Sequence, residues 1–230
     1  MTQSLVITVD GPSGSGKGTL CQMLARKLGW HLLDSGALYR IVGLAAKRKG
    51  VSFDDAEALA ELAANMNVEF VAGQPSEPSA VWLDGEDISL DVRAESTGAL
   101  ASKVAIHTQV RDALTDLQRS FATAPGLVAD GRDMGTVIFP RAPVKIYLTA
   151  SAEERAERRY KQLKMQGGSV NLAALLEDIK QRDERDMNRK VAPLKPADDA
   201  VVIDSTAKAI DEVFQQVLAL VDSAAEFHPE

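Results

Sequence analysis

The 230-residue chain has one cysteine, Cys21, so no disulfide can form within it, and its three histidines, His31, His107 and His228, lack any zinc-ligand spacing. A reducing cytoplasm is the compartment this composition suits. No apolar run approaches the roughly 18 residues that a membrane helix needs, and residues 1–4 lead into an apolar stretch at 5–9 without the h-region of a signal peptide. The expectation is a chain neither exported nor membrane-spanning. Positive charge is short as well: 26 Lys and Arg stand against 33 Asp and Glu, a net charge of −7. That balance argues against nucleic acid or a polybasic membrane contact as the main partner. An anion site would have to come from locally clustered arginines.

What is present begins with a 45% hydrophobic composition, enough for a full core, and the length suggests one core domain carrying inserts. Residues 5–9 are apolar and β-branched and stop at Asp10, Gly11 and Pro12; Leu20, Met23, Leu24 and Leu28 follow at helical spacing. That is a strand, a Gly-rich loop and a helix, the helix carrying Cys21 as an inert buried thiol. Short apolar segments at 30–33, 127–129, 144–148 and 200–203 alternate with longer helical patterns, as a parallel sheet covered by helices requires. The last helix carries Ile210, Val213, Phe214, Val217, Leu218 and Val221 as one stripe, with Ser205 or Thr206 available as N-cap. Residues 68–89 break this rhythm: Pro75 and Pro78 interrupt them and Asp84-Gly85 is a hairpin signal, so a small antiparallel insert is expected. Two charge-dense helices, 153–164 and 175–190, are separated by Gly167-Gly168.

Gly11, Pro12, Ser13, Gly14, Ser15, Gly16, Lys17, Gly18 and Thr19 satisfy Gly-x4-Gly-Lys between a predicted strand and a predicted helix. Glycines let successive backbone N–H groups turn inward, and the helix start adds partial positive charge where phosphates must sit. The loop therefore predicts an ATP or GTP site, with Lys17 at the β- and γ-phosphates. Gly18 stands where a Ser or Thr usually follows the lysine, and the hydroxyl is displaced to Thr19. Contact with Mg²⁺ through water is the corresponding expectation, with no direct protein ligand.

Phosphoryl transfer onto an existing phosphate needs no general base, because the acceptor's second pKa is about 6. It needs placed positive charge, and Arg40, Arg132, Arg155, Arg158, Arg159, Arg182, Arg185 and Arg189 can provide it. Ser35 and Arg40 follow the second predicted strand, at the sheet edge where α/β folds bind ligands, although an N-capped helix start with a surface arginine has the same appearance. Arg182, Asp186 and Arg189 share one face if they are helical, as do Arg155, Arg158 and Arg159. A solvated, ion-paired surface reads the same way.

Taken in order, GPSGSGKGT, LLDSGALYR, ADGRDMGTV and RDERDMNR make the whole chain resemble the bacterial cytidylate kinase family. The resemblance implies a P-loop nucleoside monophosphate kinase fold: a five-stranded parallel sheet flanked by helices, an acceptor insert with a small antiparallel sheet, and a short lid. As a single kinase domain, its core would be 1–34, 124–150 and 171–230, its insert 35–123 and its lid 151–170. It implies ATP and Mg²⁺ as donor and metal, CMP and dCMP as acceptors, and a monomer. By the same resemblance Ser35, Tyr39, Arg40, Ser102, Arg111, Gly131, Arg132, Asp133, Arg182, Asp186 and Arg189 bind CMP. Lys17, Arg132, Arg158 and Arg189 act in catalysis, and Thr19 and Asp130 reach the metal through water. Asp133 would read the base, since a carboxylate accepts from the cytosine amino group and repels the uracil carbonyl. Two alternatives stay open at this point: another acceptor such as UMP, and a P-loop switch without a small acceptor.

Overall fold

In the computed structural model, residues 5–73, 79–165, 167 and 170–226 are described. Pro75, Pro78, Gly168 and His228 lie outside them. Five strands, β1 (Val6–Asp10), β2 (His31–Asp34), β6 (Leu127–Gly131), β7 (Val144–Thr149) and β8 (Val201–Asp204), make a parallel sheet in the order β2-β6-β1-β7-β8. β1 pairs with β7 from Ile7↔Val144 to Asp10↔Tyr147, and β7 with β8 from Ile146↔Val201 to Thr149↔Asp204. β1 is buried at every position, as a strand covered on both faces must be. β8 closes one edge and leaves Val201 and Val202 exposed. A smaller antiparallel sheet joins β3 (Val68–Val71), β4 (Ala80–Leu83) and β5 (Glu86–Asp87). Asp84 and Gly85, at φ 52° and 84°, form the two-residue turn between β4 and β5 that the sequence predicted.

The chain folds as two compact units, one built on Ala25–Ala129 and the other on Val6–Leu24 with the chain from Asp130 onward. The first unit packs α2 (Ser35–Lys49) against α3 (Ala56–Ala64), α4 (Ser89–Arg93) and α5 (Glu95–Val104), and α3 against α6 (Thr108–Ser120). Asp34 starts α2 by accepting the Ala37 N–H at 3.0 Å, and Gly50 ends it in the left-handed region. Leu38, Ile41, Leu59 and Leu114 fill the interior between these helices. In the second unit α1 (Lys17–Leu28) follows the glycine loop, α7 (Ala152–Met165) packs against α8 (Leu172–Asn188), and α9 (Ile210–Glu226) lies on β7.

Two expectations need correction. α9 begins at Ile210, so neither Ser205 nor Thr206 caps it; the Ala209 N–H donates instead to the Glu212 carboxylate at 2.7 Å. Thr206 turns back to Asp204, and Ser205 is buried beneath the phosphate loop. The second charge-dense helix, expected through residue 190, ends at Asn188 as α8; Arg189 is its C-cap, where the chain turns extended (φ −65°, ψ 141°).

Leu59 is fully buried on α3. Leu59→Ala should lower stability by about 2–5 kcal/mol through lost burial and the cavity left behind. At roughly 2–4 °C per kcal/mol for a chain of this size, thermal denaturation should show a fall of about 4–20 °C; a change under about 2 °C would contradict this packing.

Candidate active site

The phosphate loop leaves β1 through Gly11, whose φ is 145° and whose missing Cβ would sit 2.0 Å from the Leu148 carbonyl oxygen. No other residue fits that approach, so the loop is pressed against β7 from its first position. Lys17, the first residue of α1, is buried, and its ammonium donates to the Pro12 carbonyl at 2.8 Å and stands 4.0 Å from Asp130. Burial pushes the Lys17 pKa down from the usual lysine value, with Asp130 opposing the shift. A cation held this way closes the loop on itself. Gly18 and Thr19 are exposed on the first turn of α1, and a Cβ on Gly18 would meet Asp130 Oδ2 at 3.6 Å. The acid of β6 therefore borders the position where a hydroxyl usually follows the lysine.

Arginines of α7 brace this loop. Arg155, 3% exposed, forms a two-pronged ion pair with Asp183 of α8 and donates to the Ser13 carbonyl at 3.1 Å and the Ala150 carbonyl at 2.9 Å. All its prongs are engaged in holding α7, α8 and the loop together. Arg158 donates to Glu154 at 2.9 Å and to the Ser205 carbonyl at 2.6 Å, with the Ser15 carbonyl 3.5 Å away. Arg159 is exposed and pairs with Gln162 at 2.9 Å. The buried Ser205 hydroxyl lies within hydrogen-bond distance of the Ser15 and Thr149 carbonyls, at 3.1 and 3.0 Å.

The turn after β6 carries the next group. Arg132 is ion-paired through its Nε with Asp186 of α8, so two residues assigned to the acceptor do come together. Gly131 is buried at the strand end, and Asp133, 8% exposed, is the N-cap of a π-helical turn, Met134–Ile138. The buried carboxylate of Asp10 accepts the N–H groups of Met134 at 2.9 Å and Gly135 at 2.8 Å. Burial pushes the Asp10 pKa up to about 6, against the pull of those two N–H groups. Arg182 is half-buried on α8, and Arg189 follows the helix.

On the first unit Ser35 is the buried first residue of α2. Arg40 donates to the Val92 carbonyl at 3.0 Å and the Ala94 carbonyl at 3.3 Å, binding α2 to the corner between α4 and α5. The Arg111 guanidinium stands 5.9 Å from the centre of the Tyr39 ring, and the Ser102 hydroxyl donates to Gly98 at 3.3 Å.

Sequence reasoning missed Asp10, Asp183 and Ser205. Asp10 carried one available signal, an acid closing a strand that is apolar but for Thr8, since a buried carboxylate requires partners. Asp183 and Ser205 carried none, because their partners lie far along the chain.

Between pH 4 and 6 the native state keeps a proton on Asp10 that the unfolded chain, with a carboxylate near 3.8, has lost. The resulting contribution to stability is present below about pH 4 and is lost as pH rises through about 6. Asp10→Asn removes it. Denaturant melts should therefore show wild type losing about 2–3 kcal/mol relative to Asp10→Asn between pH 4 and 7; a pH-independent difference would refute the buried titration.

A sequence model described as cytidylate kinase matches residues 7–223 of this chain. The cytidylate kinase of Aeromonas hydrophila is 59% identical over 217 residues, covering 94% of each chain. That of Shewanella putrefaciens is 56% identical over 217 residues with the same coverage. Among solved structures, an uncharacterized protein from Eubacterium ventriosum matches at a TM-score of 0.52 and 12% identity, over 96% of this chain and 99% of that one, a likeness of fold alone.

Proposed function

This chain belongs to the cytidylate kinase family, and from that premise we propose how its residues carry the family's reaction. The protein is an ATP-dependent kinase that transfers the γ-phosphoryl group to CMP, giving CDP and ADP; dCMP is proposed as a second acceptor. The observation that carries the assignment of roles is the buried Lys17 in its glycine loop beside Asp130, with the Arg132–Asp186 pair at the end of the same β6 strand.

Backbone N–H groups of residues 11–19 are proposed to hold the ATP phosphates, with Lys17 exchanging the Pro12 carbonyl for phosphate oxygens. Arg132 and Arg189 take the acceptor phosphate, and Arg182 and Asp186 the ribose. Arg158 meets the phosphoryl group in transfer by exchanging Ser205 and Glu154 for it. Its neighbour Arg155 is a poorer candidate, since moving it would break the pair with Asp183. Asp133 reads the base, and Gly131 shapes the turn beneath it. On the first unit Ser35, Tyr39, Arg40, Ser102 and Arg111 are proposed as further CMP contacts. The division into core, insert at 35–123 and lid at 151–170 is carried forward as part of this reading.

Among the described residues no three His, Cys, Asp or Glu side chains gather into a group able to hold a metal. A Mg²⁺ carried chiefly by the nucleotide phosphates, with Asp130 and Thr19 reaching it through water, fits that donor set. When bound, it neutralises charge on the β- and γ-oxygens. Among the described residues no helix is long and apolar enough to cross a membrane, and a cytoplasmic monomer is proposed.

Coupled ADP release with ATP-Mg²⁺ and each of CMP, dCMP, UMP, AMP and GMP tests the acceptor. CMP and dCMP should react and UMP should lag by tenfold or more; equal rates with UMP would remove the base-reading role. Lys17→Ala should lower kcat with every acceptor by about 10²–10³-fold. Asp133→Ala should instead reduce the CMP-over-UMP preference by about 10–100-fold, the worth of a base-edge contact, with the KM for ATP unchanged.

A further inference from the structure

We infer that Asp10 is a positioning residue for base selection: from the end of β1 it caps the π-helical turn that Asp133 begins, and so fixes where the Asp133 side chain stands. The inference rests on the proposed base-reading role of Asp133.

A helical turn starts with N–H groups that have no partner inside it, and the N-cap side chain usually accepts one of them. Asp133 holds the N-cap position, yet its side chain makes no capping hydrogen bond. The duty passes to Asp10, whose two oxygens take the Met134 and Gly135 N–H groups. The rest of the turn is closed by its own backbone. Val137 and Ile138 donate to the Asp133 carbonyl at 2.8 and 3.1 Å, and Phe139 donates to Met134 at 2.7 Å. The backbone on both sides of the Asp133 Cα is thus held, on one side by the turn and on the other by β6.

The seat is tight: a Cβ at Gly135 would lie 3.0 Å from Thr8 Oγ1, 3.3 Å from Lys145 Cδ and 3.4 Å from Asp10 Oδ2, so an added methyl group would press the turn and its neighbours apart by a few tenths of an ångström. Asp10 also precedes Gly11, where the phosphate loop begins. One strand end therefore references the turn that selects the acceptor to the loop that holds the donor. A carboxamide at this position offers one acceptor oxygen and turns an N–H₂ toward the second N–H donor, which loosens the turn without removing volume. A displacement of about 1 Å in a positioned group can cost on the order of 100-fold.

The test compares Asp10→Asn, Gly135→Ala, Asp133→Ala and Asp10→Asn/Asp133→Ala by steady-state kinetics with CMP and UMP, alongside ATP affinity and thermal melts. Asp10→Asn should reduce the CMP-over-UMP preference by about 10-fold or more through the KM for CMP, while its ATP affinity stays within about threefold of wild type. The double variant should be no less selective than Asp133→Ala alone, the non-additivity expected of one residue acting through another. Gly135→Ala, which lifts the turn from the other side, should show the same loss and stands in if Asp10→Asn does not fold. Selectivity kept in a folded Asp10→Asn or Gly135→Ala, or ATP affinity falling as far as CMP affinity, would overturn the positioning role alone. Selectivity kept in Asp133→Ala would overturn the base-reading role and this inference with it.

Discussion

Two backbone N–H groups closing on the buried carboxylate of Asp10 tie the end of β1 to the turn after β6. A carboxylate with 4% of its surface exposed is costly to ionise, and its pKa of about 6 records that cost. The two N–H groups and the nearby Lys17 ammonium offset it. Two segments of the second unit meet at this point: Gly11 starts the phosphate loop one residue later, and Asp133 starts the turn that the carboxylate caps. The orphan donors of that turn and the buried charge of the strand satisfy each other.

The arginines divide by what they touch. Arg155 is enclosed with Asp183 and two carbonyls, and it holds α7, α8 and the phosphate loop in one arrangement. Arg132 and Arg158 are partly exposed and hold side-chain or carbonyl partners that an incoming phosphate could replace. Arg159 lies at the surface. Three arginines within five residues of one helix thus have three different environments, and the chemistry proposed for Arg158 follows from its being neither sealed in nor solvated. The same logic separates Ser205, whose buried hydroxyl supports the loop, from the half-buried Thr206 beside it, which bonds only to Asp204 and Ser151 among the hydrogen bonds described.

Much of this was legible in the sequence. The five strands stood out because a sheet buried on both faces leaves continuous apolar runs, and the hairpin at Asp84-Gly85 because only certain residues adopt positive φ in succession. The phosphate loop was legible because backbone N–H groups can converge only where side chains are absent, and the motifs in order carried the family. Candidate acceptor residues were implied by resemblance. Their partners were not: Arg132 to Asp186 spans 54 positions.

The sequence by itself determined the donor loop and the sheet, because these depend on local backbone freedom and on apolar periodicity, both written in neighbouring residues, and its motifs taken in order implied the kind of reaction by resemblance to one family. Only the tertiary structure decided which charged side chains are enclosed with buried partners and which are partly exposed. Asp10 and its turn are 124 and 125 positions apart, and Ser205 and Ser15 are 190 apart. A buried polar group is defined by the partner that satisfies it, and no periodicity in the chain specifies a partner at that distance.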